Sequence, residues 1–529
     1  MRELHVHRTQ GVVTVRQDAA VAGRREWLGL AVLVLPVLLV SVTVTVLYLA
    51  LPLLSADLAP SGPRLLWIVD VYAFLLAGLL IPMGALADRI GRRKLLLIGA
   101  AAFGVTSVLA AYAPGADPLI AARALQGAAA ATLMPPTLAL IRTMFRDPRQ
   151  RRMAVAVWAA GFAGGSVLGP IAGGWLLERF WWGSVFMINV PVMILLLVLG
   201  PFLLPEYRDP RPGPFDVAGA VLSLAAVLPV VYGVKQFASG GAGPPALLAV
   251  ASGVLAGAVF LRRQRRRAHP MLDPRLFSDR GFGVSLVTST LAVFALVGLF
   301  YFVAQYLQLV LGLRPLVAGL LTLPAAGSAL AGSALAAVIA QRVRPGYVMG
   351  GGMSLAACGF AVMSGLDVSS GRWVLIAGLL LLGSGIGAVQ AVASDVIVAL
   401  APPERAGSAS AVMEAATELG GALGVAVLGS MGLAVYTGEF AAAGGHAGLS
   451  AEDALVAGET LGGAVAVAGR LPDREAAALL LDVARSAFTG GLRTAAVLGA
   501  VVLALAAVLV AVLLRDVRVD AATADGRTD

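Results

Sequence analysis

The sequence has 529 residues, of which 59% are hydrophobic and 13% are charged, and its mean hydropathy is +0.88. Soluble domains carry about 25% charged residues, so this composition excludes a soluble protein and predicts an integral membrane protein. The net charge of +9 follows the membrane topology rather than a nucleic-acid surface.

Residue types that build catalytic and metal sites are scarce. The single cysteine, Cys358, lies in an apolar run, where a small core residue is the favoured interpretation. The four histidines all fall outside the apolar runs, at His5, His7, His269 and His446. The sequence has no CxxC pair and no GxxxxGK[ST] phosphate loop. We therefore expect no enzymatic activity, no metal and no cofactor.

Apolar runs recur along nearly the whole chain. A hydrocarbon core about 30 Å thick needs about 20 helical residues, whereas a barrel would show short alternating segments. The sequence predicts an all-α membrane protein with fourteen transmembrane helices, at 28–54, 64–86, 95–113, 118–141, 153–176, 182–204, 216–237, 245–261, 282–311, 316–340, 346–365, 373–400, 407–436 and 492–514.

The basic residues predict the orientation of these helices. An even number of spans puts both termini on one side, and most of the 39 Lys and Arg residues fall in segments on that side. Because basic loops stay in the cytoplasm, both termini are predicted to be cytoplasmic. The run RRQRRR at 262–267 lies on this side and can also contact anionic lipid.

One predicted outer loop, residues 437–491, is unusually long. It contains the stretch DREAAALLLDVARSAF at 473–488, whose amphipathic pattern predicts a helix on the membrane surface. Packing over the edge of the bundle is the favoured role for this loop, and gating is the alternative.

The segment GALADRIGRRK at 84–94 lies in the predicted inner loop after the second span. It resembles the inner-loop signature of the major facilitator superfamily. Two glycines permit a tight turn, and the aspartate can accept hydrogen bonds from basic side chains. Such a cluster can latch the two halves of a transporter together, although a solvated anchor is the alternative. The latch residues are Gly84, Asp88, Arg89, Gly91 and Arg92.

A weak repeat of this loop occurs at 337–352, where Arg342 aligns with Arg89 and Gly352 with Gly99. Two related halves are a common transporter plan, with the substrate site near the midplane between them.

The fifth span contains the pattern GxxxGPxxGG, which resembles the antiporter motif of the drug:proton branch of this superfamily. Glycines at this spacing make a flat face for another helix, and the proline bends the span. The residues are Gly165, Gly169, Pro170, Gly173 and Gly174.

Arg123, Gln126 and Gly127 in the fourth span resemble the RxxQG motif of the superfamily. With fourteen spans and the run at 49–78, the chain is most similar to the quaternary ammonium compound efflux pumps among the fourteen-helix drug:proton antiporters. This resemblance implies two six-helix halves with two additional helices between them. The implied segments are a cytoplasmic arm at 1–27, halves at 28–204 and 282–514, the additional helices within 205–281, and a cytoplasmic tail at 515–529.

Five charged residues lie within the spans and away from the span ends: Asp70, Arg123, Asp395, Glu414 and Glu418. A charged group near the centre of a span costs about 3 kcal/mol, so it usually faces a water-filled cavity or a partner. The two glutamates are four residues apart and share a helix face, where desolvation and mutual repulsion favour proton binding by one of them. Asp395 can alternatively be solvated or cap a helix.

The resemblance implies that acids on the second and thirteenth spans attract lipophilic cations and that Arg123 tunes a proton site. One position departs from the family: Thr43 stands where these pumps usually carry an aspartate. Arg123 thereby lacks its expected partner, so either Asp70, Glu414 or Glu418 carries the proton, or coupling is weakened. Several aromatic residues can stack on a cation, although anchoring at the membrane interface is the favoured role; they include Tyr48, Trp67, Tyr72, Phe300, Tyr301 and Tyr306.

The expected function is therefore proton-coupled export of lipophilic cationic drugs, biocides and dyes by alternating access, across a bacterial inner membrane. The alternative is export of an endogenous antibiotic or another metabolite, neutral or anionic. The expected partners are a small-molecule substrate, protons and the lipid bilayer, without nucleic acid, and we expect the protein to act as a monomer.

Overall fold

The computed structural model describes residues 21–208, 215–238, 243–267, 270–272, 274–368, 371–402, 406–445 and 448–515. All four histidines lie outside these ranges. Within the ranges the secondary structure is helical, and fourteen helices are long and apolar enough to cross a membrane. This confirms the predicted fold class.

These membrane helices are α1 (Arg24–Leu58), α2 (Gly62–Ile90), α3 (Arg92–Ala111), α4 (Ala116–Met144), α5 (Pro148–Arg179), α6 (Ser184–Leu203), α7 (Val217–Phe237), α8 (Pro244–Arg266), α9 (Arg280–Val310), α10 (Pro315–Ile339), α11 (Pro345–Met363), α12 (Arg372–Leu400), α13 (Ser408–Ala442) and α14 (Arg474–Leu513).

Aspartate caps start three of the helices. Asp147, Asp279 and Asp473 precede α5, α9 and α14, and each side chain accepts hydrogen bonds from backbone amides of the first turn. An aspartate at this position satisfies amides that have no partner within the helix. Between α2 and α3 the chain turns at Gly91, whose φ of +112° is a conformation that side chains other than glycine rarely adopt.

The last helix differs from its prediction. The stretch 473–488 is helical, but it forms the first turns of a continuous 40-residue α14 rather than a separate surface helix. Its apolar side packs into the bundle, where the Phe488 ring lies 6.0 Å from the ring of Phe302 and the Arg485 Nε donates to the Leu309 carbonyl. The predicted loop at 437–491 is therefore shorter, because α13 continues to Ala442 and α14 begins at Arg474.

Two short helices, Ala451–Glu459 and Leu461–Ala468, fold this shortened loop onto the first half of the chain. The Gly62 amide, at the start of α2, donates to Glu459 Oε2 at 2.8 Å. Gly462 lies directly against the side chain of Ser55 near the end of α1. The loop therefore links the two halves at this end of the bundle.

The apolar core is arranged differently at the two ends of the bundle. At the end formed by the second part of α1 and the first part of α2, one buried cluster joins both halves, and it continues through the second half as far as Leu514. At the other end, which carries the basic loops and is called the basic end here, two clusters lie in separate halves. One extends from Leu30 to Leu204 and the other from Leu272 to Val412. The halves are therefore joined less closely at the basic end, where Ile81 of α2 and Ala415 of α13 are the apolar side chains that pack against the cluster of the opposite half.

Helices α7 and α8 form a hairpin against α2. The Ser223 Oγ donates to the Gly78 carbonyl of α2 at 2.9 Å. At the basic end Asp216 accepts hydrogen bonds from Arg263 and Gln264 of α8. Burial alone would raise the pKa of Asp216, but hydrogen bonds from Arg263 and from the Gly219 amide, together with the nearby Arg267 charge, hold that pKa below its ordinary value.

Cys358, expected in the core, is exposed on α11. The two glycines matched by the internal repeat occupy equivalent places, because Gly99 of α3 packs against Thr132 of α4 and Gly352 of α11 packs against Gly385 of α12. Each contact joins the third and fourth helices of its half.

Candidate functional site

A cavity of about 400 Å³ lies between the two halves, near the middle of the bundle. Its wall comes from α1, α2, α4 and α5 of the first half and from α9, α10, α12 and α13 of the second half. These are the first, second, fourth and fifth helices of each half. Most lining side chains are apolar, and the charged ones are Asp70, Arg123 and Glu418.

Three of the five predicted charged residues thus meet at one cavity. Glu414 lies one helical turn from Glu418 toward the basic end and does not line the cavity; both glutamates are half-buried. Asp395 is exposed in the last turns of α12, away from the cavity lining. Its position fits the solvated alternative.

Arg123 is only 1% exposed, and its polar contacts are all to neutral groups. Its guanidinium donates to the Ile68 carbonyl at 3.2 Å and to Gln126 Oε1 at 2.7 Å. The guanidinium also lies 4.3 Å from the ring centre of Tyr72 and 5.7 Å from that of Phe186. Within the described ranges no carboxylate pairs with this arginine, so aromatic faces and neutral acceptors compensate its charge.

Thr43 belongs to a neutral hydrogen-bond chain that leads to Arg123. The Thr43 hydroxyl donates to Asn189 Oδ1 at 3.1 Å, and the Asn189 amide donates to Ser107 Oγ at 3.2 Å. Gln126 also donates to Ser107, at 2.8 Å. The chain links α1, α6, α3 and α4, and it occupies the place where an aspartate was expected from the resemblance.

Asp70 has a partner that sequence reasoning missed. The Lys235 Nζ of α7 lies 2.7 Å from Asp70 Oδ2, and the two residues are 8% and 1% exposed. The same ammonium lies 4.1 Å from the ring centre of Trp67. Tyr72 does not anchor at the interface as expected, because its ring is 1% exposed and lies against Arg123, and the ring of Trp67 lies against the ammonium of Lys235.

Glu418 differs from Asp70 in having no such partner. Its carboxylate forms no ion pair or side-chain hydrogen bond with any described residue, while Gln390 of α12 lies on the same cavity wall. Gln390 itself accepts a hydrogen bond from the Ser289 hydroxyl at 2.5 Å. Glu418 is therefore the acid on the cavity wall that has no pairing partner among the described residues.

The glycines of α5 form the flat face expected from their spacing. Gly165, Gly169 and Gly173 pack against α1, and Gly174 packs against the backbone of Leu316 in α10. Pro170 completes the same contact, since Gly319 of α10 lies directly against its carbonyl oxygen. The motif therefore packs α5 within its own half and against the other half.

The cluster at 84–94 makes its contacts within the first half. Arg92 pairs with Asp88 at 2.9 Å and donates to the Ala139 carbonyl and the Thr143 hydroxyl. Gly84 lies near Pro135, and Arg89 is exposed. In this conformation the cluster does not tie the two halves together among the described residues.

The sequence model of the Major Facilitator Superfamily matches residues 33–425. The chain is 47% identical over 491 residues to the multidrug efflux pump LfrA of Mycolicibacterium smegmatis, covering 93% of this chain and 97% of that protein. It is 38% identical to the methyl viologen resistance protein SmvA of Salmonella typhimurium, covering 88% of this chain and 93% of that protein. It is also 34% identical to the tetracenomycin C resistance and export protein of Streptomyces glaucescens, covering 92% and 91%.

Among solved structures, the chain is similar to a bacterial homologue of the human lysosomal transporter Spinster, with a TM-score of 0.65 and 19% identity. The match covers 93% of this chain and 98% of that chain. At this identity the likeness concerns the fold alone.

Proposed function

Because this chain belongs to the major facilitator superfamily of membrane transporters, we propose that it exports lipophilic organic cations from a bacterial cell in exchange for protons. The observation that carries this proposal is the central cavity, whose mostly apolar wall holds two acids, Asp70 and Glu418. An apolar wall suits the hydrocarbon body of such a compound, and a carboxylate suits its charge.

Relatives support the same class of substrate. LfrA is named a multidrug efflux pump and SmvA a methyl viologen resistance protein. Methyl viologen is a permanently charged organic cation with an aromatic body, the chemistry that an acid in an apolar cavity recognises.

We assign proton exchange to Glu418. Asp70 already faces the ammonium of Lys235, whereas Glu418 has no pairing partner in the described ranges and borders the open space. A half-buried carboxylate in this setting binds either a proton or a cation, and alternation between the two couples their movements. Glu414, one turn away on the same face, is a relay between Glu418 and the basic end.

The difference between the two ends of the bundle supports alternating access. The end where α1 ends and α2 begins, called the closed end here, is packed shut, and the basic end is the more open one. If the basic end faces the cytoplasm, as the distribution of basic residues predicts, this conformation receives substrate from inside. Closure of the basic end would then bring the cluster at Asp88 and Arg92 into contact with the second half. One net charge moved through 100 mV supplies about 2.3 kcal/mol, enough for a gradient of roughly fiftyfold.

The test is transport of ethidium in proteoliposomes under an imposed pH gradient. We expect Glu418→Gln to abolish gradient-driven accumulation, because an amide cannot exchange a proton. Asp395→Asn is the matched control, since it neutralises an exposed acid away from the cavity lining, and we expect it to retain most of the activity. Accumulation that persists after collapse of the pH gradient and the membrane potential would refute proton coupling.

A second candidate is export of an antibiotic made by the host cell. The 34% identity to a tetracenomycin C export protein favours it. A screen of cationic, neutral and anionic compounds in the same proteoliposomes separates the two, because only the first candidate predicts a preference for cations.

A further inference from the structure

Lys235 comes from α7, one of the two helices that lie outside the six-helix halves. Its ammonium is held by the carboxylate of Asp70 at 2.7 Å and the ring of Trp67 at 4.1 Å. A carboxylate beside an aromatic face is the combination that recognises organic cations. The pair therefore shows a cation site that is occupied by a side chain of the same protein.

Asp70 stands between two spaces. On one side it lines the central cavity, and on the other it contacts Lys235, which lines a smaller cavity of about 90 Å³ with Tyr232 and Gln236. Among the described residues neither carboxylate oxygen has another hydrogen-bond partner. Oδ1 has no partner, but the ammonium at Oδ2 already compensates the charge of the carboxylate, so a cation in the central cavity gains the full charge of Asp70 only when it displaces Lys235.

The smaller cavity provides a place for the displaced ammonium. Its polar lining includes the Tyr232 hydroxyl, the Gln236 amide and Ser430. Its volume is large enough for a few water molecules, each of which occupies about 30 Å³ in the liquid. Hydration there would compensate the lysine charge when Asp70 faces the substrate.

We propose that Lys235 is a tethered competitor for cationic substrates at Asp70, and that the α7–α8 hairpin acts in specificity by holding it there. This inference rests on the proposed function, because it names Asp70 as part of the substrate site. The ligand class is a lipophilic organic cation that is able to displace a primary ammonium ion from a carboxylate. A neutral substrate gains nothing from the displacement and would not sense Lys235.

The alternative is that the pair only attaches α7 to α2. A matched control exists for this role, because the Ser223 hydroxyl makes a second contact between the same two helices, to the Gly78 carbonyl. Ser223→Ala weakens the attachment and leaves the Asp70 site intact.

The experiment measures binding of tetraphenylphosphonium to the purified full-length protein. We expect Lys235→Gln to lower the Kd by about tenfold, Lys235→Arg to stay near the wild-type value, and Asp70→Asn to raise the Kd. In the Asp70→Asn background, Lys235→Gln should no longer tighten binding. Ser223→Ala should bind as the wild type does.

Either of two results would overturn the inference: an unchanged Kd in Lys235→Gln, or an equal change of the Kd in Ser223→Ala. The inference would also fail if neither the wild type nor the Lys235→Gln variant bound the cation. If Lys235→Gln does not fold, the exchanged pair Asp70→Lys with Lys235→Asp retains both charges and moves the carboxylate to α7. The exchanged pair should bind at least tenfold more weakly, and wild-type binding by it would contradict the proposal. Because binding needs no gradient, the result stands apart from any failure of proton-coupled transport.

Discussion

Gly174→Ala should shift the protein away from the conformation described here. Gly174 of α5 meets the backbone of α10, and a Cβ at this position would lie 2.6 Å from Leu316 Cα and 2.9 Å from the Pro315 carbonyl oxygen. Backbone atoms cannot move aside as a flexible side chain can. The contact joins the two halves at the closed end, so the added methyl group separates them there.

The size of the effect follows from overpacking. Forcing one methyl group into a tight contact costs about 1–3 kcal/mol. The conformation with the closed end opened does not pay this cost, because α5 and α10 separate there. At tenfold per 1.4 kcal/mol, the ratio of the two conformations should change by roughly 5-fold to 150-fold.

Spin labels at the basic end provide the assay. Residues Arg146 and Arg342 are exposed in loops of opposite halves, so cysteines at these positions can be labelled after Cys358, which is also exposed, is replaced by serine. Pulsed electron paramagnetic resonance then gives the distribution of distances between the labels. We expect Gly174→Ala to increase the population with short distances, because opening one end closes the other.

Gly173→Ala is the matched control. A Cβ at Gly173 would lie 2.8 Å from the side chain of Val46 in α1, a contact within the first half. Both conformations contain this contact, so the substitution lowers the stability of each without changing their ratio. Equal distance distributions for Gly174→Ala and Gly173→Ala would refute the assignment of Gly174 to the contact between the halves.

Three further predictions concern other contacts. Thr43→Asp adds a carboxylate to the neutral chain that leads to Arg123, and this carboxylate should carry one additional proton per transport cycle. For each pH unit imposed, the steady-state ethidium gradient of Thr43→Asp should then be about tenfold larger than that of the control Thr43→Asn. Asp216→Asn weakens the pair with Arg263 and should destabilise the α7–α8 hairpin by about 2 kcal/mol, which faster proteolysis of that segment would show. Because the pKa of Asp216 is lowered in the folded protein, the stabilisation by this pair is present at neutral pH and is lost on strong acidification. Glu459→Ala removes the acceptor at the start of α2 and should favour opening of the closed end by about 1 kcal/mol in the spin-label assay.

The sequence predicts the spans well where hydrocarbon alone decides them. The seventh span was predicted at 216–237 and the helix is Val217–Phe237. The last span was predicted to begin at 492, but the helix begins at Arg474. Its first turns precede the apolar run and carry charges such as Asp482 and Arg485. These charges lower the local hydropathy, so the predicted span began only where the apolar run begins. Hydropathy detects the membrane and is insensitive to a helix that continues past it.

The acids of the site could be found from the sequence because isolated charges within apolar runs are rare. Which of them meet at one cavity depends on the packing of helices far apart in the chain. Glu414 and Glu418 are equivalent by spacing, yet only Glu418 lines the cavity. Asp395 carries the same signal as Asp70 and lies exposed near the end of its helix.

Lys235 was missed for a physical reason that also explains how it could have been found. A lysine two residues from the end of a span normally extends its ammonium toward the interface. Asp70 lies eight residues into α2, and α2 begins at the end of the bundle where α7 ends. The difference in depth is six residues, about 9 Å of helix, which the long lysine side chain and the offset of the two helices bridge. An acid buried at that depth without a partner in its own half either binds a proton or pairs with a cation from elsewhere. Lys235 turns inward because the carboxylate of Asp70 compensates its charge where lipid could not.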